Sequence, residues 1–117
     1  MKINYNNVNI FLIESFLEMK EAYNNNVEEY VDLPYALYES EFVPFIMNKL
    51  REGNKSELSK IFNFIEKLFI DGDEMVINLA GVAIVESIFF ESEYEKYKTE
   101  IFSLCGEITK KSFENCS

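Results

Sequence analysis

Acidic residues and tyrosines are concentrated in one short stretch, residues 28–41, whose chemistry suits the binding of a positively charged protein. Its carboxylates can pair with lysine or arginine and accelerate encounter, and its tyrosines offer rigid contact area with a polar tip. The candidate binding residues here are Glu28, Glu29, Tyr30, Asp32, Tyr35, Tyr38, Glu39 and Glu41. The alternative, weighed equally, is that Tyr35 and Tyr38 lie at the edge of the core and that the acids only cover the surface.

A second acidic cluster surrounds the turn between two expected helices, and three of its members are further candidates for partner contact. These are Glu86, Glu91 and Glu93. Glu93 and the neighbouring Glu95 also suit the first turn of a helix, where the helix dipole favours negative charge, so structure explains part of the cluster. Glu86 lies inside an apolar helix, and is therefore either on an exposed strip or buried beside a partner group.

The sequence does not indicate a catalytic or metal-binding site. The chain has no histidine, which is the commonest general base and a usual zinc ligand. Its glycines form no phosphate-binding motif, and the spacing of Cys105 and Cys116 does not match a metal site. The acidic run at residues 71–74 is followed by Met75, Val76 and Ile77, where a calcium loop would need further oxygen ligands. We therefore expect no catalytic residue, no cofactor and no metal, and an enzyme built on a carboxylate pair is a minor hypothesis.

The charge balance narrows the class of partner. The chain carries 21 acidic and 11 basic residues, a net charge of −10 in 117 residues. Such a surface repels nucleic acid and anionic lipid and attracts basic proteins. We therefore expect a basic protein as the partner, no direct contact with nucleic acid or membrane, and a monomer in preference to an oligomer.

The ends of the chain and its cysteines favour a cytoplasmic location. No secretory signal pattern is visible at the start, and the longest apolar run, residues 79–85, is too short to cross a bilayer. A disulfide between the two cysteines would close only a short C-terminal loop. Because disulfides are rare in reducing compartments, we expect two free thiols.

Helical periodicity predicts one all-α domain over residues 1–117. Five helices are expected, at about residues 7–24, 34–51, 54–71, 74–90 and 93–113, with a frayed tail at residues 114–117. Glycine and proline are scarce, so the connections must be short and successive helices must pair as antiparallel hairpins. These hairpins could form either a HEAT-like stack or an irregular bundle.

Local signals predict how the helices begin and end. Asn54 and Ser92 each precede a glutamate by three residues, as in a capping box, and Asp32 and Asp73 suit the N-cap position. Pro34 suits a first turn, whereas Pro44 predicts a kink or two short helices that meet near residues 41–43. Gly72 should end one helix in the turn at residues 71–73. The fourth helix is apolar on nearly every side, which indicates a central position, and Gly81 together with Ala80 and Ala83 suggests close approach of a neighbouring helix.

Several segments resemble one family of small acidic bacterial proteins. They read Leu-Pro-Tyr at 33–35, Ile-Phe-Asn-Phe-Ile-Glu at 61–66, Gly-Asp-Glu-Met-Val-Ile-Asn-Leu at 72–79 and Val-Glu-Ser-Ile at 85–88. Over about residues 30 to 105 the chain resembles the helical immunity proteins of contact-dependent inhibition and other polymorphic toxin systems, with the middle hairpin as the recognisable part. The resemblance implies that the protein binds and neutralises one cognate toxin domain, often a nuclease, inside the producing cell. It assigns no contact residue, because these differ between toxin–immunity pairs.

Two functions of different classes follow as hypotheses. The first is a cytoplasmic immunity protein that binds the C-terminal domain of a basic toxin through its acidic and tyrosine-rich surface. The second is a helical adaptor or regulatory subunit that binds another protein, with acids that serve solubility only. A gene that directly follows a large toxin gene would favour the first hypothesis, and a place inside an enzyme operon would favour the second.

Overall fold

The computed structural model describes residues 2–116 and shows an all-α chain, which confirms the predicted fold class. Within those residues there are eight helices and no strand. They are α1 (Val8–Ser15), α2 (Leu17–Asn25), α3 (Val27–Tyr30), α4 (residues 34–52), α5 (Lys55–Asp71), α6 (residues 74–89), α7 (Tyr94–Leu104) and α8 (Glu107–Glu114). Two of them contain π-helical segments, at Tyr38–Phe42 in α4 and at Ala80–Glu86 in α6. Among the described helices, none combines the length with the apolar character that a membrane crossing requires.

An aromatic cluster in the core explains why the first predicted helix is broken. Phe16 has an extended backbone, with φ −136° and ψ 118°, so the single helix expected over residues 7–24 is α1 followed by α2. Its buried ring packs against Phe42, Phe45 and Phe64 at centroid distances of 5.6, 5.7 and 5.4 Å. Such aromatic contacts stabilise a core beyond the area they bury, and here they override helical periodicity.

Helix α4 runs through Pro44 without the division into two helices that the sequence allows. The Val43 N–H donates to the Tyr38 carbonyl, a step of five residues that forms the π segment directly before the proline. This wider turn absorbs the distortion that a proline introduces in a helix. Pro34 occupies the first turn as predicted, but the N-cap is Leu33 and no side chain caps the helix, so the prediction that Asp32 caps it is wrong.

The hairpin between α5 and α6 begins and ends largely as the local signals predict. The side chains of Asn54 and Asp73 accept hydrogen bonds from the backbone N–H groups of Glu57 (3.2 Å) and Val76 (2.9 Å), which confirms both N-caps. Gly72 is extended, not left-handed, at φ −77° and ψ 151°. A Cβ there would lie against the Leu68 carbonyl oxygen and 2.6 Å from Val76 Cγ1, so close packing is what requires glycine.

The N-terminal segment is attached to this hairpin, an arrangement that the sequence does not indicate. The Ile3 N–H donates to the Asp71 carbonyl (2.9 Å), and the Asp73 N–H donates to the Ile3 carbonyl (2.8 Å). Ile3 itself is fully buried. The segment before α1 is therefore part of the folded domain. It brings Tyr5 close to the start of α6, where the Tyr5 N–H donates a hydrogen bond to the Asp73 carboxylate at 3.3 Å.

Glu66 of α5 caps the start of α8. Its carboxylate accepts hydrogen bonds from the backbone N–H groups of Ile108 (3.2 Å) and Thr109 (2.9 Å) and from the Thr109 hydroxyl (2.8 Å). Burial, the largest influence, raises the pKa of Glu66, but these hydrogen bonds together outweigh it and the pKa lies below its ordinary value. The helix expected over residues 93–113 is consequently divided at Cys105, which is extended, and Gly106.

One further expectation for the C-terminal part is wrong. The N-cap of α7 is Glu93, and no side chain accepts a hydrogen bond from the first backbone N–H groups of the helix, so Ser92 does not form a capping box. Helix α8 continues to Glu114, Cys116 is half-buried against the core, and Ser117 lies outside the described residues, so fraying of residues 114–117 stays a prediction. Both cysteines are free thiols, as expected.

Candidate protein-binding surfaces

Four acids of the predicted binding stretch lie at the surface. Glu28, Glu29, Asp32 and Glu39 are exposed, and none of them forms an ion pair with another described residue. Their charges are therefore available to a partner. These positions can supply long-range attraction for a basic protein, as the sequence predicts.

Two of the predicted tyrosines are core residues and offer no contact area to a partner. Tyr38 is fully buried and its hydroxyl donates to the Val8 carbonyl at 2.7 Å. Tyr30 is 5% exposed and its hydroxyl donates to Glu41 Oε2 at 2.7 Å. That hydrogen bond, followed by burial, raises the pKa of Tyr30 to about 12. The assignment of Tyr30 and Tyr38 to a binding surface is wrong, and the carboxylate of the half-buried Glu41 is already engaged within the fold.

Tyr35 alone among these tyrosines is placed for contact with both the fold and a partner. It is half-buried, and its hydroxyl accepts a hydrogen bond from Asn78 Nδ2 of α6 at 3.0 Å. Its ring lies 6.4 Å from that of Tyr5, centroid to centroid. Tyr35 thus links the start of α4 to α6 on one side and to the N-terminal segment on the other.

The second predicted cluster does not form one site. Glu93 is paired with Arg51, whose Nη2 and Nε lie 2.6 and 2.8 Å from Glu93 Oε1. The hydrogen bond from Arg51 lowers the pKa of Glu93, and the neighbouring Glu91 is half-buried. Glu86 is exposed on α6, as the first of its two alternatives predicts, and it belongs to a separate surface.

That surface is a groove of about 670 Å³ between α6 and α8, which the sequence analysis missed. Its apolar floor includes Met75, Ile77 and Val82, which are 57%, 41% and 38% exposed. Carboxylates of Glu74 and Glu86 line it, and no lysine or arginine is among its described lining residues. Neither glutamate forms an ion pair within the described part of the chain.

The groove also corrects the prediction for the fourth helix. Helix α6 packs against α4, α5 and α8 through fully buried residues such as Ala80 and Ala83, as its composition predicts. The helix is nevertheless not covered on every side. A Cβ at Gly81 would meet nothing within 4 Å, so this glycine opens the groove and does not admit a close neighbour. The signal in the sequence was an apolar surface too wide for the core to cover.

Comparison with known families shows the family to which this chain belongs. A family model described as a domain of unknown function, DUF7674, matches residues 10–116. The chain belongs to the DUF7674 family. No curated protein and no solved structure matches the chain. The matched residues of this DUF7674 domain include both walls of the groove.

The groove of the DUF7674 domain is suited to binding through contact and charge. Residues 2–116 contain no group of three or more side chains that could hold a metal ion. Cys116 lines the groove, and its thiol donates to the Ser112 carbonyl at 3.4 Å. The other thiol, Cys105, is half-buried, and burial raises its pKa to about 12, which strongly disfavours the reactive thiolate. An apolar floor bordered by unpaired carboxylates fits an amphipathic, positively charged protein segment.

Proposed function

We propose that this DUF7674 domain is an immunity protein that binds and neutralises a basic toxin domain in the bacterial cytoplasm. One observation carries the proposal: the groove between α6 and α8 has an apolar floor and unpaired carboxylates at its border. A basic protein complements both features. The resemblance of residues 30–105 to helical immunity proteins supports a toxin as that protein, and a nuclease as its class.

The exposed side chains of α6 can supply binding free energy. Covering Met75, Ile77 and Val82, each about half exposed, would contribute roughly 1 kcal/mol apiece. Apolar contacts of this kind, when they exclude water, set how long a complex lasts. The groove is therefore the surface that we expect to fix the affinity.

The carboxylates have a different role in the proposed complex. Glu74 and Glu86 border the groove, and Glu28, Glu29 and Glu39 add charge elsewhere on the surface. Exposed charges of this kind mainly accelerate encounter, and salt screens them over a distance of about 8–10 Å. We expect the association rate to fall steeply as salt is added, whereas the dissociation rate changes little.

The test is co-expression with the C-terminal domain of the toxin that the proposal expects to be encoded beside the gene. The wild-type chain should restore growth and co-purify with that domain. Val82→Glu should abolish both, because a charge buried on the groove floor weakens binding by at least ~100-fold. Leu17→Glu is the matched control, since Leu17 is 71% exposed on α2, outside the groove, and receives the same charge. Both variants should keep the wild-type melting temperature.

Two results would contradict the proposal in different ways. If the wild-type chain co-purifies with the toxin domain but growth is not restored, the protein is an adaptor and the immunity role is wrong. If Val82→Glu protects as well as Leu17→Glu does, the groove is not the binding surface.

A further inference from the structure

A second hollow, of about 300 Å³, lies between the N-terminal segment, α1, α2 and the turn before α4. Its lining residues include two tyrosines, one asparagine and one aspartate: Tyr5, Tyr23, Asn9 and Asp32. No basic side chain is among its described lining residues. We call this hollow the Asn9 pocket.

Asn9 carries a polar atom that the fold leaves without a partner. The residue is 7% exposed, and its Nδ2 donates to the Tyr30 carbonyl at 2.9 Å, which fixes the orientation of the amide. Its Oδ1 is buried and accepts no hydrogen bond from any described residue. A buried acceptor in this state destabilises a protein, so it calls for an explanation outside the packing of the core.

The Tyr30 carbonyl oxygen, which accepts the hydrogen bond from Asn9, does not depend on Asn9 for a donor. The Tyr30 carbonyl also accepts from the Leu33 N–H at 3.1 Å. An apolar residue at position 9 would therefore leave no orphaned group behind. Asparagine at this position is better explained by a ligand that donates to Oδ1.

The other walls indicate which donor would fit. Asp32 is exposed and unpaired among the described residues, so a cation is favoured over a neutral amide. The rings of Tyr5 and Tyr23 can pack on a flat cation. A guanidinium group is planar, always charged, and has donors for both a carboxylate and an amide oxygen, whereas an ammonium group cannot stack in the same way.

A chain of residue contacts links the Asn9 pocket to the groove. Tyr5 of the pocket lies 6.4 Å from Tyr35, and the Tyr35 hydroxyl is bonded to Asn78, which lines the groove. One partner could therefore reach both. We propose that the Asn9 pocket binds an arginine side chain of the basic partner, which anchors that partner beside the groove. This inference rests on the proposed function only for the identity of the protein that supplies the arginine.

The test uses the whole, isotopically labelled chain and a blocked amino acid, N-acetyl-L-arginine methylamide, followed by NMR. The Asn9 side-chain amide and the neighbouring Tyr5 signals should shift and saturate, with a Kd of about 1 mM for a fragment of this size. The blocked lysine analogue should bind at least ~10-fold more weakly. Asn9→Leu and Asp32→Asn should each weaken arginine binding by ~10-fold or more, and Glu107→Gln, an exposed carboxylate on α8, should not change it.

Binding of agmatine, a small guanidinium metabolite, distinguishes a pocket for an arginine side chain of a protein from a pocket for a free guanidinium compound. Agmatine that binds ~10-fold tighter than the blocked arginine would overturn the assignment to a protein partner. Absence of saturable shifts, or equal binding by Asn9→Leu of unchanged melting temperature, would overturn the pocket itself. None of these measurements involves the toxin, so they can fail while growth rescue succeeds, or succeed while rescue fails.

Discussion

Removing the carboxylate of Glu66 should weaken the attachment of α8 to the rest of the domain and lower the free energy of unfolding. Glu66→Ala leaves the backbone N–H groups of Ile108 and Thr109 and the Thr109 hydroxyl without their acceptor. Thr109 is fully buried, so water cannot easily replace that acceptor. Loss of a side-chain cap costs about 1 kcal/mol, and hydrogen bonds to a charged group add to that, so we expect a loss of about 2 kcal/mol. For a domain of this size the melting temperature should fall by roughly 8 °C.

The same interaction predicts how stability depends on pH. The pKa of Glu66 in the folded protein lies below its ordinary value of 4.5, because hydrogen bonds to the carboxylate outweigh the effect of burial. Its stabilisation is therefore complete above pH 4.5 and is lost as the pH falls through the lower, folded-state pKa. Glu66→Gln keeps an acceptor but cannot titrate. Its free energy of unfolding should decrease less steeply than that of the wild type on acidification below that pH.

Urea unfolding followed by circular dichroism measures both the loss of stability and its pH dependence. A substitution at Gly106 tests whether the position of the Glu66 side chain matters. A Cβ at Gly106 would lie 2.6 Å from Glu66 Cγ and from Glu66 Oε1, so Gly106→Ala should displace the cap and destabilise the wild type. In the Glu66→Ala background the same change should cost little, which gives a coupling energy of about 1 kcal/mol or more. The reasoning is refuted if Glu66→Ala costs less than about 0.5 kcal/mol, or if the two Gly106→Ala effects are equal.

Three further predictions compare matched positions by urea unfolding. Tyr38→Phe should lower the free energy of unfolding by about 1 kcal/mol because it removes a buried hydrogen bond, whereas Tyr35→Phe should change it by no more than about 0.5 kcal/mol. The reverse order would contradict the assignment of Tyr38 to the core. Asn9→Leu should keep the wild-type stability or raise it by about 1 kcal/mol, and a large loss would show that the amide serves the fold. Gly72→Ala should lower the free energy of unfolding by about 2 kcal/mol or more, because the new Cβ would meet packed atoms. Gly81→Ala places its Cβ in open space within a helix and should raise the free energy of unfolding by about 0.5–1 kcal/mol. Equal effects of the two substitutions would contradict this difference in packing.

The features that sequence patterns predict correctly are those decided within a few residues. The N-caps at Asn54 and Asp73 depend on a side chain and an N–H three positions later, and both form as expected. The first-turn position of Pro34 likewise follows from its own missing donor. Amphipathic periodicity also sufficed for the fold class and for the span of α5, because one buried face determines that helix.

The features that were missed depend on partners distant in the sequence. The break at Phe16 follows from rings on α4 and α5, and the break at Cys105 follows from a carboxylate on α5. Neither is encoded in the periodicity around it. Tyr35 and Tyr38 stand three residues apart and look equivalent in the sequence, yet only Tyr38 lies under Val8 of α1. Whether a tyrosine is a contact residue or a core residue was therefore decided by the tertiary fold.

The distribution of apolar residues distinguishes a binding surface from an acidic coat that serves solubility alone. Exposed carboxylates repel one another at a net charge of −10, and exposed Met75, Ile77 and Val82 forgo the stabilisation of burial, so neither feature benefits the isolated fold. Solubility would be served better by polar residues at these positions of α6. Instead, the apolar floor and the unpaired carboxylates of Glu74 and Glu86 occur together in one groove. The binding of a basic amphipathic partner, as we propose, would account for both.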